Sequence, residues 1–431
     1  MAQSDRSKTN RARNAVRALK HRNYRLYFFG MLISFSGTWM QTVAQSWLVY
    51  RLTESAWLLG VVGFASQAPV LLFTPLAGVM ADRRSRHRIV VLTQAASMVQ
   101  AFILAWITIN ETVTVNAIIG LAVVLGVINA FDLPARQSFL VELVGKQDLM
   151  NAISLNSTMV NGARIVGPAV AGLIVAWLGE GPCFLINAVS YAVVIAGLLF
   201  IRIGRSEFDR PEGTALSYLR EGFGYVRRPG PVRAVLLLVA LVSVCGLPYA
   251  VLMPIFADQI FGGGPRVLGI LLGAAGIGAT VGALTLALRS SPEGLGRVVA
   301  LSVAAFGGLL IVFSISRNLV LATLLLLPAG FTVMLQMSGS NTLLQSMVPD
   351  RMRGRVMSFY SMSLMGMAPL GSLFAGAVAT RIGAPQTVAA GGILCIAGAL
   401  TFRPHLPSLA AAMDVVAIDH PASTTPEEAN V

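Results

Sequence analysis

The sequence predicts an all-α integral membrane protein with twelve transmembrane helices in two pseudo-symmetric halves of six. Three observations carry this. Of 431 residues, 55% are hydrophobic and 12% charged, with mean hydropathy +0.72, whereas soluble domains carry about 25% charged residues. Long apolar runs recur along the chain, and a bilayer core of about 30 Å needs roughly 20 helical residues, because lipid cannot satisfy an open backbone. Finally, part of the first half repeats in the second.

The apolar runs begin near Leu26, Leu58, Ile89, Val113, Ala152 and Cys183, then near Val232, Leu268, Val298, Leu319, Val356 and Pro385. They divide the chain into a basic N-terminal segment (1–25), a six-helix half (26–203), a linker (204–231), a second six-helix half (232–402) and a tail expected to be disordered (403–431). The first run, Leu26 to Tyr50, is too long for a signal peptide and is expected to stay as a span. In the linker, Leu216, Leu219, Phe223 and Val226 recur at helical spacing among Arg220, Arg227 and Arg228, as in an amphipathic helix lying on a membrane.

The net charge of +13 does not indicate nucleic acid, because the basic residues lie in short connectors and not on one soluble face. Arg51, Arg266, Arg317 and Arg381 occupy the connectors of one side, and Arg164 lies within a span. All other Lys and Arg fall on the opposite side, so both termini are expected in the cytoplasm of a cell membrane, plasma or bacterial inner. Cys183, Cys245 and Cys395 sit singly in apolar runs, which argues against zinc or a disulfide framework. Neither a metal nor a cofactor is expected. No phosphate-cradling Gly-rich Lys motif occurs, so the chain is not expected to be an enzyme hydrolysing ATP.

Val144 to Gly179 aligns without a gap on Val348 to Gly383. Gly162 meets Gly366, Gly167 meets Gly371, Ala171 meets Ala375, Gly172 meets Gly376 and Gly179 meets Gly383. Two parallel halves related by an axis along the membrane normal suit a rocking transporter.

Between the second and third runs lies Gly78-Val-Met-Ala-Asp82-Arg83-Arg84-Ser85-Arg86-His87-Arg88. This stretch resembles the loop signature G-x-x-x-D-R-x-G-R-R/K of the major facilitator superfamily, with Ser85 for the usual Gly and His87 for a base. Trp39-Met40-Gln41-Thr42, Asn129 to Gln137 and Asn151 to Ser157 extend the resemblance to the enterobactin-exporter-like, or transmembrane secretion effector, branch. The resemblance implies a major facilitator fold. It also implies a latch in the outward-open state, in which Asp82 faces the start of span eleven, whose helix end is partly positive. Asp132 and Arg136, an i,i+4 pair placed at the cytoplasmic end of span four, would complete the latch with Arg83 or Arg86. Alternatively, these charges only set topology.

Arg164 falls near mid-bilayer, where an unpaired guanidinium costs several kcal/mol. Its partner is either an anionic substrate, Asp132 or backbone carbonyls. Ser154, Ser157, Asn161 and Arg164 form one polar stripe, and Ser34, Thr38, Gln41 and Gln45 form another on span one. Thr332, Gln336 and Ser340 do the same on span ten, and Tyr360 stands beside Met362, Met365 and Met367. These patterns make Thr38, Gln41, Gln45, Asn161, Arg164, Gln336 and Tyr360 the candidate substrate-binding residues. Gly78, Asp82, Arg83, Arg86, Asp132 and Arg136 are the candidates for gating and coupling.

Gly167-Pro168-Ala169-Val170-Ala171-Gly172 looks like the G-P-x-x-G-G signature of drug and proton antiporters, which favours export; Gly167, Pro168 and Gly172 also suit close helix packing. The expectation is a monomeric secondary active exporter of a small amphipathic organic compound, siderophore-like or drug-like, working by proton antiport and alternating access. Asp132 is the leading candidate to carry the proton. A receptor or assembly partner on the same fold, or a proton-coupled importer, are the alternatives.

Overall fold

The structure is a computed structural model, and it describes residues 16–201, 224, 226, 227, 230–289, 291 and 293–409. Twelve long helices are present among them. They are α1 Arg22–Thr53, α2 Ala56–Arg83, α3 Arg86–Ile109, α4 (115–144), α5 (146–178), α6 Glu180–Leu199, α7 Pro231–Ile260, α8 Gly264–Ala287, α9 Leu295–Ile315, α10 Leu319–Met347, α11 Met352–Ile382 and α12 Ala384–Phe402. All but α1 lie in stretches that are long and apolar enough to cross a membrane. Ser34, Thr38, Gln41, Gln45 and their polar neighbours lower the apolarity of α1, but at 32 residues it has ample length to span.

Polar residues start several helices by satisfying orphan backbone N–H groups. Ser55, Ser85, Thr114 and Asn318 accept from the N–H groups of Leu58, Arg88, Ala117 and Leu321. The reversal between α4 and α5 is made at Gly145, whose φ of 71° suits a residue without Cβ. Residues 136 and 167 would lie about 45 Å apart on one straight helix, yet both reach the same turn of α1. Arg136 lies over Phe35, and Gly167 packs against Ser36 and Trp39.

The N-terminal segment is fastened to the start of α5. The Ala18 N–H donates to Asn151 Oδ1 at 2.8 Å, Tyr24 donates to the Ala152 carbonyl, and His21 and Arg17 both bond Asp148. At the other end of the chain the tail is ordered further than expected. Residues 403–409 continue as helical turns, and Leu406 and Leu409 pack against Gly296. Most of the linker's proposed amphipathic helix, including Leu216, Leu219 and Phe223, and residues 410–431 lie outside the described residues.

The halves meet along two crossings. α2 approaches α11, where a Cβ on Gly60 would lie 2.6 Å from the Ser372 carbonyl oxygen and 3.0 Å from Gly376 Cα. α5 approaches α8, where Gly172 would meet Gly269 Cα at 2.9 Å. These glycines remove side chains from the contact and let backbones touch. The crossings continue through Gly366 against Leu71 and Gly276 against the Arg164 carbonyl, near the middles of their helices. They therefore run from the end of the bundle opposite the α2–α3 connector to mid-depth. At that far end Tyr50 of α1 donates to Asp258 of α7 at 3.0 Å. The end carrying the α2–α3 connector is termed the arginine-rich end below.

Two spans are not regular helices. α7 contains wide turns at Val242–Gly246 and Phe256–Ile260, and α11 has one at Met362–Gly366. Ser243 in the first donates to the Leu364 carbonyl in the last. Such irregular turns tend to mark functional places in helices.

Candidate functional site

α1 organises the site. Phe35 and Trp39 stand one turn apart, and each carries a guanidinium near its ring. Arg136 of α4 lies 4.6 Å from the Phe35 centroid and Arg164 of α5 lies 5.7 Å from that of Trp39. Each such contact is worth about 0.5–2 kcal/mol. Gly167, one turn after Arg164, makes this possible: a Cβ there would sit 2.4 Å from Trp39 Cβ.

The two arginines differ in their partners. Arg136 bonds Asp132 at 3.2 Å, and this carboxylate is further held by Thr93 at 2.8 Å and Gln94 at 3.1 Å. The Asp132 side chain is only 5% exposed. Arg164 is half-buried and makes neither an ion pair nor a side-chain hydrogen bond with any described residue. Its backbone lies at the α5–α8 crossing, and Tyr249 of α7 is within electrostatic reach. It is thus a cation at mid-depth, at the junction of both halves, beside the Trp39 ring and with no acidic partner among the described residues.

Packing contacts engage several of the expected positions in this structure. Gln41 is 2% exposed; it accepts from Asn187 at 2.7 Å and donates to Gln100 at 3.1 Å. It therefore points towards α3 and α6, inside the first half. Thr38 donates to the Ser34 carbonyl and shares a bond with Tyr191. Gln45 is buried, and Gln336, 1% exposed, bonds Ser340 within α10. Tyr360 is buried and donates to the Met337 carbonyl at 2.7 Å, tying α11 to α10. Asn161 bonds the Ser157 carbonyl on its own helix. A helical stripe reports that a face is polar, but not whether a cavity or another helix satisfies it.

The charged cluster is rearranged as well. Asp132 lies about 18 Å before the end of α4 by helical rise, deep in the span and not at the helix end where the sequence suggested it. Arg86 does not join Asp132 and Arg136; it pairs with Glu142 at 2.9 Å. Arg83 is exposed, Gly78 has open space where a Cβ would be, and the Asp82 side chain lies outside the described parts. Pro168 and Gly172 are buried in the α5–α8 crossing, with the Pro168 carbonyl oxygen 2.7 Å from a Cβ on Gly269.

Sequence reasoning missed Glu142, Asn187, Phe35 and Tyr249. Trp39 enters it only within a family match, although an aromatic on span one beside a polar stripe is the available signal.

Two bundles of six helices, crossing at glycines with Arg164 at mid-depth between them, have the architecture of a multi-pass membrane protein. The family model described as transmembrane secretion effector matches residues 14–429, and the chain belongs to this family of the major facilitator superfamily, whose members are transporters and not enzymes. The chain is 27% identical over 380 residues to the staphyloferrin A transporter of Staphylococcus aureus (strain NCTC 8325 / PS 47), covering 87% of this chain and 94% of that protein. It is 29% identical over 400 residues to the multidrug efflux pump Tap of Mycolicibacterium fortuitum, covering 89% and 96%. Among solved structures, the nucleoside transporter NupG superposes with a TM-score of 0.68 at 16% identity, over 90% of this chain and 98% of that one. That likeness shows the fold alone.

Proposed function

We propose that the protein is a secondary active exporter of a small amphipathic compound bearing an anionic group, driven by proton antiport. The observation that carries this reading is Arg164, held at mid-depth between the halves with no acidic partner among the described residues. A charge in that position costs several kcal/mol unless a ligand or water compensates it, so an arriving anion is the natural counter-charge. Export draws support from the efflux pump among the relatives and from the Gly167 to Gly172 motif. The siderophore transporter supports a polyfunctional organic cargo.

Asp132 is the proton carrier in this reading. Its Oδ1 already faces the Gln94 amide, and Gln94 Oε1 is buried without a partner among the described residues, an acceptor suited to a protonated carboxyl. Protonation discharges the pair with Arg136 and loosens α4 from the Phe35 face of α1. The crossings at the far end and their ending at mid-depth support an inward-open state, with the arginine-rich end and both termini in the cytoplasm.

Reconstituted vesicles test the reading. Under an imposed proton gradient, Arg164→Ala is expected to lower transport of anionic substrates at least about tenfold, the effect of roughly 1.4 kcal/mol, while sparing cationic ones. Equal loss for both would reduce Arg164 to a structural role. Uptake in the direction of the proton gradient would establish an importer, and no substrate-linked proton movement with folded protein would favour a receptor.

A further inference from the structure

One face of α4 carries a ladder of groups from mid-depth to the arginine-rich end. Asp132, Arg136, Phe139 and Glu142 recur at i, i+4, i+7 and i+10, which places them on one side of the helix, and the rise from Asp132 to Glu142 is about 15 Å. Asp132 and Arg136 form the inner pair, and Glu142, its side chain 10% exposed, closes the outer end against Arg86 at 2.9 Å. Between them stands Tyr27 of α1. Its ring packs edge-on against Phe139 with centroids 6.1 Å apart, and the His87 ring packs against the same phenylalanine at 5.7 Å. Tyr27 is also within electrostatic reach of both Arg136 and Asp132.

Tyr27 is 1% exposed, and its hydroxyl has no hydrogen-bond partner among the described residues. Tyr24, one turn earlier and stacked on it at 6.2 Å, is buried as deeply but donates to the Ala152 carbonyl at 3.0 Å. Five buried side-chain polar atoms lack a partner among the described residues, and three of them, Gln94 Oε1, the Tyr27 hydroxyl and Arg86 Nε, lie along this ladder. Gln94 bonds Asp132 at one end, and Arg86 bonds Glu142 at the other. An unpaired buried polar group costs about 1–3 kcal/mol, so three gathered along one helix face point to buried water as their partner.

We propose that Tyr27 is the relay by which the proton on Asp132 leaves for the arginine-rich end, through waters held by the Tyr27 hydroxyl and by Arg86. This rests on the reading of Asp132 as the proton carrier. The protonated Asp132 carboxyl gives its proton to a first water, which passes one of its own to the Tyr27 oxygen as the Tyr27 O–H proton moves to a second water. That water hands a proton to Glu142 and so to bulk water. One proton moves in all; Tyr27 and the waters stay neutral, and Asp132 regains its negative charge beside Arg136. The hydroxyl then turns back, a step open to a rotor that both donates and accepts. The titratable and charged groups around Tyr27 are Tyr24 on its own helix, Asp132, Arg136 and Glu142 on α4, and Arg86 and His87 on α3. His87 Nε2 is engaged by the Leu198 carbonyl of α6 at 2.9 Å. α6 adds Tyr191, bonded to Thr38 and within electrostatic reach of Asp132, and α5 faces the cluster with Ala152 and Met159.

Time-resolved infrared spectroscopy of the full-length protein in lipid tests this without any substrate. The carboxyl band of protonated Asp132, identified by its loss in Asp132→Asn, is followed after a jump to higher pH. Tyr27→Phe, which removes one unpartnered oxygen and keeps the ring, is expected to slow decay of the band at least about tenfold, and Tyr24→Phe to leave the rate unchanged. Equal slowing by both, or slowing by neither, would overturn the relay while leaving Asp132 as the carrier. If no such band appears at any pH at which the protein stays folded, the proton-carrier reading fails and the relay with it. The unsubstituted protein supplies a check that no misfolded variant can spoil. Under X-ray radiolysis hydroxyl radicals form from water bound beside a side chain, so Tyr27 should be oxidised several times faster than Tyr24, read by mass spectrometry of digests. Equal oxidation of the two tyrosines would show a dry hydroxyl and overturn the proposal.

Discussion

α5 and α11 occupy matching places in the two halves, and the differences between them separate packing from ligand chemistry. Each ends at a glycine of positive φ, 81° at Gly179 and 88° at Gly383. Each crosses the opposite half at an equivalent glycine, Gly172 against Gly269 of α8 and Gly376 against Gly60 of α2. At mid-depth the likeness stops: Ala368 holds the position that corresponds to Arg164. The repeat preserves what lets the two bundles touch, and Arg164 has no counterpart in the second half. A pseudo-symmetric frame therefore presents an asymmetric site.

The largest effect should come from breaking what the two helices share. Gly172→Val or Gly376→Val puts a side chain where the partner backbone already sits at about van der Waals contact, and overpacking of this kind costs typically about 1–3 kcal/mol. Both variants should abolish transport and lower thermal stability in detergent. Gly162→Ala, which meets nothing within 4 Å, should change stability by less than about 0.5 kcal/mol. Comparable damage from Gly162→Ala and Gly172→Val would remove the crossing argument.

Moving the charge tests the asymmetry next. Arg164→Ala with Ala368→Arg places a guanidinium at mid-depth in the other half, away from Trp39. Anion transport should stay at least about tenfold reduced, measured as initial rates in vesicles; full recovery would show that only depth matters, not the aromatic face.

Asp132→Asn keeps the shape while removing the charge that pairs with Arg136. Transport should lose its response to the proton gradient, while substrate binding, followed by calorimetry, changes by only a few-fold, on the order of 1 kcal/mol. Equal loss of binding and transport would make the pair part of the substrate site.

Tyr50→Phe should have the smallest effect. It deletes one hydrogen bond across the far end, worth about 1 kcal/mol, and should shift the halves towards opening there about fivefold. Distance measurements between spin labels on α1 and α7 would register this, and no shift would show the bond to be incidental.

Much of the fold was legible because bilayer thickness imposes helix length and the glycines repeat. Even α1, too polar for a simple hydropathy criterion, was placed by its length. The depth of Asp132 was misjudged because hydropathy alone cannot say that α4 continues to residue 144 before turning at Gly145. The polar stripe on α1 did not reveal its partners, because Gln41 is satisfied by Asn187 and Gln100, which lie far away in sequence. The tail boundary moved because Leu406 and Leu409 find a surface at Gly296 that composition could not reveal.

What the sequence determined by itself was therefore the class of architecture, its division into halves and the isolation of Arg164 as a charge within a span. Hydrophobic length, charge bias and repeated glycines are local or periodic properties, written in the order of residues. Only the tertiary structure decided which charges have partners: Asp132 and Arg86 acquire theirs, Arg164 keeps none among the described residues, and Trp39 comes to lie beside it. Coulomb energy and hydrogen bonding depend on distances between residues remote in the chain, and close helix packing sets those distances.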